Sequence, residues 1–200
     1  MARPRRVVRD RVLSETRQRL LDAATAEIAR EGYVGANINR ISQAAGFAKG
    51  TVYNHFPSKR ALMEALIDEI AATHTQFIRQ QIERQQDPTQ RLECFFSAGF
   101  AFVEDRPEQA RVIINSVYGP DAGLRAHVYE AYRELFTLIA QSVVQAGIAR
   151  GDFRSLDPDL VTALVMTIYL GSSSQLDPSG TIWLNPGQVI AFIVDGLRPR

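Results

Sequence analysis

Cysteine is all but missing: Cys94 is the only one in 200 residues. That rules out an internal disulfide framework, leaves stability to an apolar core, and fits a reducing, cytoplasmic location. A chain of this length can build such a core. A lone thiol reads first as a small buried hydrophobe and only second as a redox sensor. Long apolar runs are also missing. The longest mostly apolar stretch, Leu160 to Leu170, is too short to span a bilayer, so no membrane partner is expected. The charged N-terminus has no apolar segment behind it, so no signal peptide is expected. Histidine is scarce, and His55, His74 and His127 are not spaced as a metal pair on one helix. Neither a metal nor a cofactor is expected. Gly46 to Thr51 is faintly like a phosphate loop, but Lys49 precedes Gly50 and the order is wrong. No nucleophile elbow or paired-carboxylate pattern stands out. No convincing strand and no internal repeat is found.

Charge is present but unevenly distributed. The net charge is only +1. Residues 1–60 hold twelve Lys and Arg against five Asp and Glu, whereas the remainder holds eleven against seventeen. A basic head on an acidic body suits a polyanion-binding unit joined to one that does not bind polyanions. Arg3, Arg5, Arg6, Arg9 and Arg11 lead the chain without an apolar period. They predict a disordered arm that either lies along phosphates or a minor groove or merely solubilises.

The stretch from Asn37 to Phe56 carries the strongest local pattern. Ile38, Ile41 and Ala45 recur at helical offsets, with Asn37 placed as N-cap and Gly46 as the left-handed residue that ends the helix. A second short helix follows through Thr51, Val52 and Phe56. Helix, glycine turn and helix make a helix-turn-helix, whose second helix enters the DNA major groove. Its outward residues are Lys49, Thr51, Tyr53, Asn54 and His55; Gly50 lets backbone approach the duplex closely. The plain alternative for this stretch is a solvated surface.

The run Gly46-Phe-Ala-Lys-Gly-Thr-Val-Tyr-Asn-His-Phe-Pro-Ser-Lys59, followed by Ala61-Leu62, resembles the DNA-binding signature of the TetR/AcrR family of bacterial repressors. The likeness extends upstream through Leu20, Leu21, Ala23, Ala24, Gly32 and Tyr33. It implies DNA contacts from Asn37, Lys49, Gly50, Thr51, Tyr53, Asn54, His55 and Lys59, with Lys49, Tyr53, His55 and Lys59 mainly on phosphates. One position departs. The family usually has Ser or Thr where this chain has Ala48, so the recognition helix is predicted to lack its side-chain cap.

An earlier helix is predicted from a Ser14 N-cap through Leu21, Ala24 and Ile28 to Gly32, completing a three-helix head. Ser58 caps a helix running to about Gln85, with Lys59 and Arg60 in its first turn, where a nearby phosphate would suit them. Further helices are predicted over Pro88–Glu104, Pro107–Val117, one long stretch from Leu124 to Ala149, and two more opened by Asp157-Pro158 and Asn185-Pro186. Ser179-Gly180 is read as a loop. The fold class is therefore all-α, and the resemblance implies a helix-turn-helix DNA-binding domain over residues 1–60 and a helical ligand-sensing and dimerisation domain over 61–200.

Gly147 to Leu170 also resembles the C-terminal part of TetR-type repressors, where the last two helices of each subunit form a four-helix dimer interface. Leu160, Leu164, Ile168, Ile190, Ile193 and Val194 offer more apolar surface than one small body covers. The resemblance implies a homodimer on a pseudo-palindromic double-stranded DNA operator, released by a small-molecule effector. Phe95, Phe96, Phe100, Phe102, Tyr118, Tyr132, Met166 and Tyr169 are candidate pocket walls, with His74, Arg111 and Asn115 as polar contacts. The aromatic content favours an apolar or aromatic effector. The alternatives are a constitutive DNA binder without effector and an all-α enzyme.

Overall fold

The computed structural model describes the backbone of residues 4–175 and 181–199, with side chains from residue 11 onward. Among the described residues the fold is helical throughout, with no strand and no helix long and apolar enough to cross a membrane. Ala2 and Arg3 of the expected arm, and the expected Ser179-Gly180 loop, lie outside the described residues.

Helix α1 spans Pro4–Gly35. It begins well before the predicted Ser14 cap, so Ser14 lies inside the helix and residues from Pro4 onward are not disordered. The physical reason is simple. Proline is well suited to the first position of a helix, and no further Pro or Gly interrupts the run before Gly32. Gly32 does break the helix, at φ 70° and ψ 169°, and one more turn follows. That left-handed φ strains any side chain with a Cβ.

Helices α2 (Ile38–Ala44) and α3 (Lys49–His55) form the helix-turn-helix. Ile38, Ile41 and Ala45 are buried, as their spacing predicts. Gly46 ends α2 at φ 75°. Its N–H donates to Gln43 O at 3.0 Å and the Phe47 N–H donates to Ser42 O at 2.8 Å, which uses carbonyls a helix end would otherwise leave free.

Helix α4 (Lys59–Ile82) opens on Ser58, whose hydroxyl accepts from Ala61 N at 3.0 Å. The expected domain boundary at residue 60 falls inside its first turn, so no linker separates head from body. Helices α5 (Pro88–Asp105) and α6 (Pro107–Tyr118) follow the predicted spans closely. The long helix predicted from Leu124 to Ala149 is instead divided into α7 (Ala122–Ala131), α8 (Arg133–Ile139), a π-helical segment (Ala140–Gln145) and α9 (Ala146–Arg150). Its apolar stripe from Val128 to Val143 recurs a little more slowly than every roughly 3.6 residues. The break at Tyr132 and the wider π turn keep that stripe on the core. Helices α10 (Pro158–Ser173) and α11 (Pro186–Leu197) open on Asp157 and Asn185, as read from the sequence.

In the body α4 lies against α5 and α7, and α1 of the head packs along α6. Gly99 on α5 permits one close approach: a Cβ there would meet the Tyr169 ring at 2.4 Å.

A buried carboxylate fixes the head. Glu27 on α1 is 4 % exposed and accepts from the Asn37 N–H at 3.0 Å and from Arg40 Nε at 2.7 Å, with Arg30 also bonded to it. It thereby ties α1 to the start of α2. Burial raises the pKa of this carboxyl, but the Asn37 N–H and the two guanidinium groups outweigh it and hold the pKa below the usual value. With a depressed folded pKa, the contribution is present above the unfolded value of about 4.3 and is lost as pH falls through the lower folded value. Glu27→Gln is expected to destabilise the protein at neutral pH by about 1–3 kcal/mol and to weaken its acid sensitivity. Denaturant melts between about pH 3 and pH 7 check this; a variant as stable as the parent at pH 7 would remove Glu27 as the anchor.

Candidate nucleic-acid interface and body cavity

Helix α3 presents one polar face. Lys49, Gly50, Tyr53 and Asn54 are exposed, Thr51 and His55 are half-buried, and Val52 and Phe56 are buried behind them. The helix is too short to be stable alone, so this packing holds it. Ala48 occupies the N-cap position and gives no side-chain hydrogen bond, as its identity predicts.

Two arginines of α1 brace the motif from behind. Arg19 Nη2 donates to Ala45 O at 2.8 Å, and its guanidinium lies 4.7 Å from the Phe47 ring centre. The Arg17 guanidinium lies 5.4 Å from the Phe56 ring centre. In the sequence these residues are indistinguishable from other positive charges.

The remaining expected DNA contacts have partners within the chain. The exposed Asn37 accepts from Asn39 N at 2.8 Å through Oδ1, the predicted capping role. Lys59 Nζ donates to Val34 O at 2.9 Å and sits 5.1 Å from the Tyr33 ring centre. Burial lowers its pKa, against the opposing pull of Glu27. Arg60 does not face outward to an anion. It donates to Glu64 at 2.7 Å and to both oxygens of Asp121 at 3.0 and 3.2 Å. Asp121 is also the N-cap of α7, accepting from Gly123 N at 2.9 Å and Leu124 N at 3.0 Å. The Leu124 N–H and the Arg60 charge hold the pKa of its carboxyl below the usual value. The first turn of α4 is thus joined to the first turn of α7.

The body encloses a cavity between α4, α5, α6, α7, α8 and α10. Its wall is mostly aliphatic and aromatic, from Ile70, Ile113, Val117, Leu135 and Leu170 among others. Of the expected pocket residues, His74, Phe102, Tyr132, Met166 and Tyr169 line it. Phe95, Phe96 and Phe100 do not; they are buried behind Tyr169, with ring centres 4.8 to 6.0 Å from its own. Arg111 is exposed on α6, while Asn115 and the exposed Tyr118 border a separate groove between α1 and α6. Helical phase explains this. Ala110, Ile113, Ile114 and Val117 take the face of α6 that meets the cavity, leaving Arg111, Asn115 and Tyr118 on other faces.

The cavity's polar groups form a chain. His74 Nδ1 lies 3.2 Å from Tyr132 Oη and its Nε2 lies 3.1 Å from Tyr169 Oη, while its ring stacks 4.3 Å from Phe102. Burial, aided by the charge of Arg106, lowers the His74 pKa to about 4, so the imidazole is neutral at physiological pH. Burial also pushes both phenols well above their ordinary range. The cavity volume is about 50 Å³. One water needs roughly 10–15 Å³ and an ordinary ligand pocket spans roughly 300–1,000 Å³, so side chains fill most of the site in this form. Cys94 is half-buried, and burial raises its pKa, which opposes a reactive thiolate. Among the described residues no group of His, Cys, Asp and Glu is placed to hold a metal.

Residues 20–66 match the model described as bacterial regulatory proteins, tetR family, and residues 85–195 match the tetracyclin repressor-like C-terminal domain. The chain is 28% identical over 141 residues to the HTH-type transcriptional regulator LmrA of Bacillus subtilis, covering 66% of this chain and 73% of that one. It is 25% identical over 194 residues to the HTH-type transcriptional repressor KstR2 of Mycobacterium tuberculosis, covering 94% and 97%. The structure of FadR from Bacillus subtilis in complex with stearoyl-CoA aligns with a TM-score of 0.80 at 20% identity, over 90% of this chain and 99% of that one.

The missing cap on α3 has a measurable consequence. Ala48→Ser supplies an acceptor for a free N–H of the first turn and is expected to stabilise the protein by roughly 0.5–2 kcal/mol. Thermal unfolding without DNA reads this directly; an unmoved or lower midpoint means that α3 is capped another way.

Proposed function

The chain belongs to the tetR family of bacterial regulatory proteins, DNA-binding transcription regulators rather than enzymes, and on that premise we propose that it is a homodimeric repressor that leaves its operator when a small apolar molecule fills the body cavity. In this reading residues 1–60 bind DNA and residues 61–200 sense and dimerise. Lys49, Gly50, Thr51, Tyr53, Asn54 and His55 face the duplex. Asn37 and Lys59 serve it from the flanks, each through capacity left over from its internal bond. The two heads read the two halves of a pseudo-palindromic operator.

The observation that carries the sensing part is the link from cavity to head. His74 of α4 forms part of the cavity wall, and the first turn of the same helix follows the recognition helix directly. Leu124 and Val128 of α7 are buried beside it, and Asp121 at the start of α7 holds Arg60. A ligand admitted to a cavity of about 50 Å³ presses on the helices that line it, α4 and α7 among them. A rigid α4 carries that displacement to α3. A constitutive DNA binder needs no such arrangement.

The dimer is supported by an uncovered apolar face. Leu160 is 54 % exposed and Leu164 52 % on α10, with Phe192 at 76 % on α11 and Trp183 at 72 % before it. Ile193 and Val194, expected on this face, are instead buried within the body, and Phe192 takes their place on the surface. Apolar side chains of this size gathered on two adjacent helices suit a four-helix interface between two copies.

Three outcomes test this reading. Selection from a pool of random duplexes is expected to enrich an inverted repeat; recovery of no common sequence would count against a specific operator. On the selected site, Lys49→Ala is expected to weaken binding and to reduce the salt slope by about one unit. Sedimentation is expected to show a dimer at micromolar concentration and a monomer for Phe192→Glu; a parent monomer would contradict the interface.

A further inference from the structure

The cavity's hydrogen bonds can be counted. Two phenols and a neutral imidazole carry two O–H donors and one N–H donor. Their two mutual contacts, Tyr132 to His74 and His74 to Tyr169, use two of these three. One ring nitrogen donates to a phenol oxygen, and the other accepts from the second phenol. Whichever tautomer His74 adopts, one phenol O–H is left over. Ser173 adds another. It is 3 % exposed, lines the same cavity, and its Oγ has no hydrogen-bond partner. It lies beside the Tyr169 hydroxyl, and counting a bond between these two hydroxyls as a third contact still leaves one of the four donors unmatched.

Hydroxyl donors without acceptors therefore lie just behind a wall whose open surface is apolar in this form, where a modest turn of a side chain presents them to the cavity. A buried donor left unpaired is costly, whereas an oxygen with a lone pair unused is more easily tolerated. The wall contains no Lys, Arg, Asp or Glu side chain. The guanidinium of Arg106 lies 4.7 Å from the centre of the Phe102 ring, but Arg106 itself is not part of the wall. A charged ligand in this cavity would have no counter-ion.

We propose that the cavity takes an uncharged, largely apolar molecule bearing one oxygen acceptor, a ketone, ester or ether, and that a hydroxyl of Tyr132, Tyr169 or Ser173 donates to that oxygen. The proposal rests on reading the cavity as the effector site and names the chemistry of that effector. It also distinguishes this cavity from a site built for the carboxylate of a free acid or for an ammonium.

The test uses the full chain and four single-ring probes of similar size: acetophenone, its hydrocarbon counterpart cumene, benzoate and benzylammonium. Affinities are measured calorimetrically for the parent and for Tyr132→Phe, Tyr169→Phe and Ser173→Ala. The quantity read is the affinity for acetophenone relative to cumene, which removes differences in cavity shape. The ratio is expected to fall about tenfold in at least one variant, the contribution of one buried hydrogen bond. Cumene binding should persist in that variant. In the parent, the carbonyl stretch of bound acetophenone should lie below its frequency in an alkane, a readout that does not depend on any variant folding. An unchanged ratio in all three variants, a carbonyl frequency equal to that in alkane, benzoate or benzylammonium binding more tightly than acetophenone, or no binding by any probe would each overturn the proposal. DNA release is measured separately. Acetophenone that binds with the expected ratio yet leaves the DNA complex intact supports this site and counts against the sensor reading alone.

Discussion

One helix carries the continuous apolar core from head to body. The buried side of α4 runs from Leu62, Met63 and Leu66 near the recognition helix to Ile70, His74 and Ile78 deep in the body. Its 24 residues form a rod about 36 Å long with no glycine or proline to bend it. Neither end can be repacked without consequences for the other. Close-packed interiors respond to a volume change by shifting whole elements rather than by yielding locally. In the proposed reading, an expanding cavity acts on the head along α4 and, through Asp121 and Arg60, along α7.

Polar groups at the two ends do different work. In the head they fix geometry. Glu27 joins α1 to α2, and Arg19 joins α1 to the turn before α3, so the recognition helix inherits its orientation from α1 rather than from its own few residues. In the body the polar chain from Tyr132 through His74 to Tyr169 stays neutral. A neutral network can rearrange around a ligand without stranding a buried charge, which a network built on ion pairs cannot do.

The head was legible because its signals are local. Asn37, Gly46, Ala48 and Ser58 each act within a few residues, and each does in the structure what its identity predicts. The body was legible as helices but not as a site. Which face of α6 meets the cavity depends on how helices pack, so Asn115, Arg111 and Tyr118 were plausible by composition and yet lie elsewhere. Ser173 and Ile113 carried no signal at all, because nothing local marks a serine or isoleucine as lining a void. The pairings of Glu27 with Asn37 and of Arg60 with Asp121 are long-range and equally silent in a single sequence. Two departures have local causes. Arginine is a good helix former and Pro4 can open a helix, so the arginine-rich start is helical rather than disordered. The apolar stripe from Leu124 to Ala149 drifts, so no single regular helix runs through it.

The central claim is that the volume of the body cavity sets the spacing of the heads. It can be tested without an effector by filling the cavity covalently. Ala110 is buried in the cavity wall, and Ala110→Leu places extra carbon in a space of about 50 Å³. Spin labels on Tyr53→Cys, with Cys94 replaced by serine, report the distance between recognition helices in the proposed dimer. The account predicts that Ala110→Leu shifts or broadens the inter-label distance distribution while the protein remains folded and dimeric. A folded dimer whose distribution is the same with and without the substitution would contradict it.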